Sequence, residues 1–593
     1  MSPPRTIPPL LLLALLAAPA GAGEPPPPAY DSRPFLSALS PGWRRQPARR
    51  LGLADLNELP LYQLEVDFNP LTARLRVEQT VNFLNRGRRP LRRLVFRTWA
   101  NGRSGGAPPE DRPLVVDSAS VAGRPATLSW LGPTAFALEL ETPLPPGRRL
   151  LVRLSARLRL PRLPAAAGTD VSALLGAPAG GYGVCGHRRG VYNLARFYPL
   201  LAARRGDDWD TTAPAAMGDA VFAEPANYLV RLRLPREMRV ATGALVSGRE
   251  LPGPDPDGPQ LLYLVGCALR QLAISASSRY LVRRQEHGGV RLRAFVPDGD
   301  EKLAERLLGE ARAALRYYSR KLGAYPFAKL DLAVAPLLGG AGGMEFPGLV
   351  TVAESVVRPP AGGPLAGLLG RLLDSTSMPE FVVAHEVAHQ WFYAQVGSHP
   401  VLHPFLDEGV ANYLAVMFFE SRHGARAAEQ QLELQLLAPY RLWRALGGAD
   451  GAVLRPAGAF RSQLEYAALV YGKGALFYHA LRRRLGRGRL LGCLEEYARR
   501  RAFRSATPDR LRELLGRCSG RPRLVERLWR RWLLEAHADE DLQALGLGGN
   551  LDELLGRLQS LGGLHNVKID GTLDAATLRL WQQAVRQLTG AGE

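Results

Sequence analysis

Two histidines four residues apart, in the run His385-Glu386-Val387-Ala388-His389, constrain this chain more than any other feature. The flanks Phe381-Val382-Val383-Ala384 and Gln390-Trp391-Phe392-Tyr393 read as a buried helix. On a helix, residues four apart share one face, one turn apart. Burying two imidazoles on that face without a partner is costly, so a second polar element must come alongside. Leu406-Asp407-Glu408-Gly409-Val410-Ala411-Asn412-Tyr413 supplies one, opening a second helix. The 18 residues between His389 and Glu408 let the first helix end near Gly397 and the chain loop back.

This arrangement fits a metal. Two imidazoles at H-E-x-x-H spacing can each offer a nitrogen at about 2.0–2.1 Å to one Zn²⁺. A catalytic zinc takes three protein ligands and keeps a position open. We therefore expect one zinc per chain on His385, His389 and Glu408. Glu386 is one residue past the first ligand, angled toward a metal-bound water, which makes it the expected general base. His399 and His403 lie in the connecting loop, where no fixed helical spacing pairs them, and they read as polar loop residues.

The rest of the chain divides by periodicity. Residues 1–22 read as an export signal: Arg5, then the short apolar run Leu10 to Ala18, then Ala20-Gly21-Ala22 as a cleavage site. That run is too short to span a bilayer, and no later segment is long and apolar enough. Export predicts an extracytoplasmic, oxidising location. Residues 23–55, Pro-rich and then Arg-rich, read as a linker or extended arm. Residues 56–285 alternate with period two, as in Tyr62-Gln63-Leu64-Glu65-Val66-Asp67 and Tyr228 to Leu234. Such alternation predicts an antiparallel sheet or sandwich domain. Residues 286–536 change character: a helix over 301–322, a strand over 330–335, a Gly-rich turn over 339–343, an extended piece over 348–352. Helices follow at about 378–396, 407–423, 426–446, 464–485, 488–502 and 507–535. Residues 537–593 form a helical tail. The expected fold class is multidomain α+β.

Composition sharpens the function classes. Hydrophobic residues at 46% and charged residues at 22% exclude wholesale disorder. The net charge is +21 and lysine contributes only Lys302, Lys321, Lys329, Lys473 and Lys568, so the excess is arginine. It is spread in short pairs without a stripe or recognition motif, which predicts no nucleic-acid partner. Of the four cysteines, Cys493 and Cys518 share one helical stretch and are the favoured pair, with free buried thiols the alternative.

The H-E-x-x-H motif, the 18-residue spacing and the Asp407-Glu408-Gly409 turn together resemble the alanyl-aminopeptidase-type gluzincins. Two further motifs support the resemblance. Gly342-Gly343-Met344-Glu345-Phe346 is similar to the family's G-x-M-E-N segment. There the Glu binds the free α-amine of the substrate and the preceding backbone is an edge strand that docks the peptide. By that resemblance Glu345, Gly342, Gly343 and Met344 are substrate-binding; Phe346 departs from the family's Asn. Tyr471, in Tyr471-Gly472-Lys473-Gly474, matches the family's Y-x-K-G and is implied as the oxyanion-stabilising residue, with Tyr466 a weaker neighbour. Asn193 to Pro199 with Gly218-Asp219 is similar to segments of bacterial members. The resemblance implies a saddle-shaped β domain, a thermolysin-like, mostly α catalytic domain, and hydrolysis of N-terminal peptide bonds in peptides with a free N-terminus. A zinc endopeptidase or other hydrolase on the same site, and a non-catalytic envelope-binding protein on the same scaffold, are the rival readings. Lys568 to Asp574 with Trp581-Gln582 also resembles peptidoglycan-binding modules, against a plain helical cap.

Overall fold

Alternating residues fold as strands because one side chain in two can turn inward. In Leu61–Asn69, Val66 and Phe68 are buried while Asp67 and Asn69 are exposed. The computed structural model describes residues 27–102, 107–164, 181–252, 258–358 and 377–549. The signal-like segment and the tail beyond 549 lie outside the described residues. An eight-stranded sheet dominates the first half. Its order is Leu245–Glu250, Pro259–Leu269, Ala226–Pro235, Leu61–Asn69, Arg74–Leu84, Arg149–Arg159, Leu114–Val121, Arg124–Pro125. Its pairings are antiparallel except one: Leu61–Asn69 runs parallel to Ala226–Pro235, with Leu64 opposite Val230. The chain between these two strands is long enough for the crossover a parallel pair needs, and it builds much of two four-stranded sheets on the way.

A second body begins at a five-stranded sheet, ordered Tyr280–His287, Val290–Pro297, Lys329–Ala335, Leu349–Ala353, Gly343–Phe346. Strand Tyr280–His287 belongs to this sheet, so the boundary expected at 285/286 cuts through it and falls instead before Tyr280. The helix Glu301–Leu322 spans the stretch expected of it. Asp300 caps it by accepting from the Leu303 N–H, and Leu303, Leu307, Leu308, Ala311, Leu315 and Tyr318 are buried. Tyr318 packs on Trp391 at 5.8 Å between ring centroids, behind the histidine motif.

Three expectations change. Residues 27–55 are a folded strap rather than a linker. Short helices Arg33–Ala38, Pro41–Arg44 and Pro47–Leu51 each start with a proline in the first turn. Tyr30, Phe35, Leu39, Trp43 and Leu51 are buried. Trp43 Nε1 donates to Ala324 O at 2.8 Å while Tyr30 Oη donates to Leu59 O at 2.7 Å, so the strap holds both bodies. The histidine helix, expected to reach 396, spans Met378–Ala388, with His389 as its C-cap. The buried guanidinium of Arg270, from the β domain, donates to Tyr393 O, Ala394 O, Gln395 O, Ala223 O and Arg504 O, offering the unwound turn the partners a helix would have given. Later helices are broken by π-helical segments at Leu432–Leu437, Ala467–Lys473 and Arg530–Leu534. The first part of the tail is helical over Ala538–Ala544 and docks through Tyr440 Oη to Asp539 at 2.8 Å. A disulfide joins Cys493 to Cys518, bridging two successive helices; Cys185 and Cys267 are free.

Candidate metal centre

His385 and His389 project from one face of Met378–Ala388 and its cap, and Glu408 opens the neighbouring helix Phe405–His423. The histidine Nε2 atoms are 3.0 Å apart, and each is 3.3 Å from Glu408 Oε2. Tetrahedral ligands at zinc distances stand roughly 3.3 Å from one another, so the three atoms already have the spacing of one metal's ligand set. Among the described residues this is the one group of three or more such side chains so arranged. Glu408 Oε2 is buried without a hydrogen bond, an oxygen that a cation would satisfy. His389 Nδ1 lies 3.0 Å from Phe392 O, so it carries the proton and leaves Nε2 for the metal.

The charges suit a cation. Burial opposes ionisation of Glu408, but the imidazoles of His385 and His389, each 3.3 Å from Oε2, hold its carboxyl well below the usual range. Burial likewise works against a charged His389, yet Glu345, Glu408 and Glu386 draw a proton onto it. Positive charge at this spot is what the surrounding carboxylates call for. Burial pushes the Glu386 carboxyl up to about 8, with His389 opposing and Glu408 adding to the rise. His399 is elsewhere: its ring stacks on Phe222 and its Nε2 lies 3.2 Å from Asp210.

The Gly343–Phe346 strand lies at the edge of its sheet, antiparallel to Leu349–Ala353. Strand alternation sorts its residues. Met344 and Phe346 turn into the hydrophobic core with Leu349 and Phe295. Gly343 lies against Glu386: a Cβ there would fall 2.4 Å from Glu386 Oε1. Glu345 shares the Gly343 face, and its carboxylate interacts with those of Glu386 and Glu408. Met344 therefore offers the cleft backbone only, not its side chain. Gln390, just past the histidine motif, clasps the strand's end by donating to Phe346 O and accepting from Gly348 N–H at 3.1 and 2.9 Å. Gly342 rests on Val382 of the histidine helix.

Tyr471 sits in the π-helical turn Ala467–Lys473, its ring 6.0 Å from that of His385 and 5.8 Å from that of Tyr466. Asn412 of the Glu408 helix donates to Tyr471 O at 2.9 Å, and Lys473 anchors the turn to Asp450 and two carbonyls. Burial, reinforced by the Glu408 charge, keeps the Tyr471 hydroxyl protonated. Tyr466 is fully buried with a hydroxyl that finds no partner. Sequence reasoning placed no β-domain residue in the site, yet Tyr182 and Asp219 are close enough for Glu408 to act on both. Only the fold brings them there.

Residues 307–532 match the model of the peptidase family M1 domain. Over that stretch the chain is similar to the peptidase family M1 domain. Aminopeptidase M1-B of Oryza sativa subsp. japonica is 28% identical to it over 248 residues, 41% of this chain and 27% of that protein. Aminopeptidase N of Acetobacter pasteurianus is 31% identical over 146 residues, 24% of this chain and 38% of that one. The chain thus spans about a quarter of the length of Aminopeptidase M1-B. Among solved structures, the M1 zinc metallopeptidase of Deinococcus radiodurans aligns with a TM-score of 0.54 at 20% identity, over 81% of this chain and 94% of that one. A mutant of that metallopeptidase, solved with a Tyr-Ser-Ala substrate, aligns equally well, with a TM-score of 0.54 at 20% identity, 81% of this chain and 94% of that one. This likeness gives the fold: a β-rich N-terminal domain followed by a helical region.

Proposed function

We propose that this chain is a zinc aminopeptidase that hydrolyses the N-terminal peptide bond of peptides with a free N-terminus. The observation that carries the reading is Glu345. It is a buried carboxylate beside the metal ligands and on the Glu386 face of an edge strand. Among the described residues, no lysine or arginine forms an ion pair with it. An α-ammonium fits that need, and a peptide anchored there presents its first peptide bond to the centre. His385, His389 and Glu408 hold the zinc, one ion per chain. When bound, zinc supplies Lewis acidity and lowers the pKa of water. Glu386, ionised beside that cation, takes the attacking water's proton and passes it to the leaving amine. Tyr471, held in its protonated form, donates to the oxyanion as charge develops. The export-like N-terminus and the Cys493–Cys518 bridge support an extracytoplasmic location.

The test compares purified wild type and Glu386→Gln on unblocked aminoacyl reporters and on the same peptides N-acetylated. We expect turnover of the unblocked substrates only, falling by roughly a thousandfold or more in the variant, with zinc retained. Equal turnover by the variant would remove Glu386 as base. Preference for acetylated peptides would make the chain an endopeptidase.

A further inference from the structure

We propose that the five-stranded sheet carries an anion site outside the metal centre, suited to a phosphate monoester, where the β domain meets the sheet. Strand alternation creates it. In Val290–Pro297, Leu292 and Ala294 turn into the main core, so Arg291 and Arg293 turn to the other face. Register then brings like charges together. Arg284 stands directly opposite Arg293, and Lys329 sits opposite Arg291. Like charges directly opposite one another are destabilising. Farther along the same face the residues are apolar, and Phe295 and Tyr280 pack with Ala241 and Ala273 of the β domain. At the cationic end a cavity of about 530 Å³ opens. Arg284, Arg291, Arg293 and Lys329 line it, with Leu245 and Val246 from the β domain.

The charge count selects the ligand. Two carboxylates share the face. Asp331 is fully engaged: it accepts from Arg293 Nε at 2.8 Å, Thr242 N–H at 2.9 Å and Lys329 Nζ at 3.0 Å. Glu286 lies opposite Arg291 in the register. Four cations against two carboxylates leave two positive charges unanswered. Among the described residues, neither the Arg284 nor the Arg291 guanidinium makes a hydrogen bond or an ion pair. Burial, with the charge of Arg293 and then that of Arg284, pulls the Arg291 guanidinium below its usual range, against Asp331 and Glu286. A phosphate monoester carries close to two negative charges at pH 7 and three acceptor oxygens. Guanidinium forks match such oxygens in pairs. Lys329, its side chain 4% exposed, is held by Asp331 and by the carbonyls of Thr242 and Gly348. It supplies fixed charge, and the two unpaired arginines supply the hydrogen bonds. The cavity has room for an organic body behind the phosphate, and its place between domains is one where small-molecule sites recur. The phosphate belongs to a free monoester or to a lipid headgroup.

The experiment titrates the full zinc-loaded chain with glycerol 3-phosphate by calorimetry, at fixed ionic strength so that general screening is constant. We expect one saturable site per chain. Arg284→Gln and Arg291→Gln should each weaken it roughly ten- to a hundredfold, the usual loss of a charge-assisted hydrogen bond. Arg312→Gln removes the same charge from the helix Glu301–Leu322, which packs on the opposite face of the sheet, and should leave affinity within about twofold. Tm of each ligand-free variant, expected to match wild type, checks the fold. Co-sedimentation with vesicles of phosphatidic acid in phosphatidylcholine distinguishes the two sources. Binding of either probe that is lost in both cavity variants and kept in Arg312→Gln supports the site. Failure of wild type to bind either probe overturns it. So does binding indifferent to Arg284→Gln and Arg291→Gln, or weakened equally by Arg312→Gln.

Discussion

Replacing Gly343 by alanine probes how Glu386, the proposed general base, is seated. The added Cβ would lie 2.4 Å from Glu386 Oε1 and 2.6 Å from its Cδ and Cγ. Carbon atoms in contact settle at about 3.5–4.0 Å, so something must move by roughly 1 Å. The strand is poorly placed to yield. It pairs with Leu349–Ala353, Gly343 opposite Val352, and Gln390 clasps its far end. Gly343 is not among the glycines with positive φ, so alanine adopts this backbone without strain and the effect stays local. Glu386 gives way instead. A displacement of about 1 Å at a reacting group costs on the order of a hundredfold in rate, about 2.7 kcal/mol of barrier. The assay is kcat on unblocked aminoacyl reporters, with zinc counted per chain and Tm measured. We expect kcat down about a hundredfold with zinc near one per chain and Tm nearly unchanged. Gly342→Ala is the control: its Cβ comes nearest to Val382 Cγ2, at 3.1 Å, with Val356 Cγ2 at 3.7 Å, and kcat should stay within about threefold of wild type. A Gly343→Ala enzyme with wild-type kcat at full zinc refutes the reasoning.

Chelation of the metal should abolish turnover, and zinc should restore it; a Tm that rises with zinc concentration reports binding to the folded state alone. In the metal-free protein, burial lifts the Glu386 carboxyl from 4.5 to about 8, so the folded state favours its neutral form. That contribution is full below 4.5 and is lost as pH rises toward 8, so metal-free Tm should fall over this window, and fall less in Glu386→Gln. Arg270→Met strips several buried carbonyls of their donor and should cost about 3 kcal/mol in denaturant unfolding. Replacing both Cys493 and Cys518 by serine opens a loop of 25 residues and should cost about 3 kcal/mol by the same measurement.

The local elements were legible because their signals are local. The helix Glu301–Leu322 announces itself by an apolar face and an Asp cap, and the cluster of His385, His389 and Glu408 by spacing on two adjoining helices. What could not be read is what distant chain imposes. The histidine helix stops at Ala388 because Arg270, more than a hundred residues earlier, offers donors to the unwound carbonyls. Tyr471 is presented by a π-helical turn, whose extra residue per turn no 3.6-period pattern announces. The strap over residues 27–55 hides seven buried apolar side chains among prolines and arginines, so its composition reads as linker while its contacts are those of a core. Asp219 stood in a stretch similar to segments of bacterial members, but only the docking of the β domain brings it within reach of the Glu408 charge.

The Phe346 departure looks damaging in the sequence because it adjoins Glu345. In the strand, adjacency means the opposite face. Phe346 is buried with Met344 in the core beneath the sheet, while Glu345 and Gly343 face the ligands and Glu386. What the strand needs at residue 346 is a carbonyl for Gln390, which any side chain leaves in place. A polar residue buried at 346 would also require a partner in an apolar cluster. Phe346→Asn should therefore destabilise the fold, by about 2–4 kcal/mol, more than it alters the preference for free over acetylated peptides. A variant that stays as stable as wild type, while shifting that preference tenfold, would show that residue 346 reads the substrate and that the alternation argument fails.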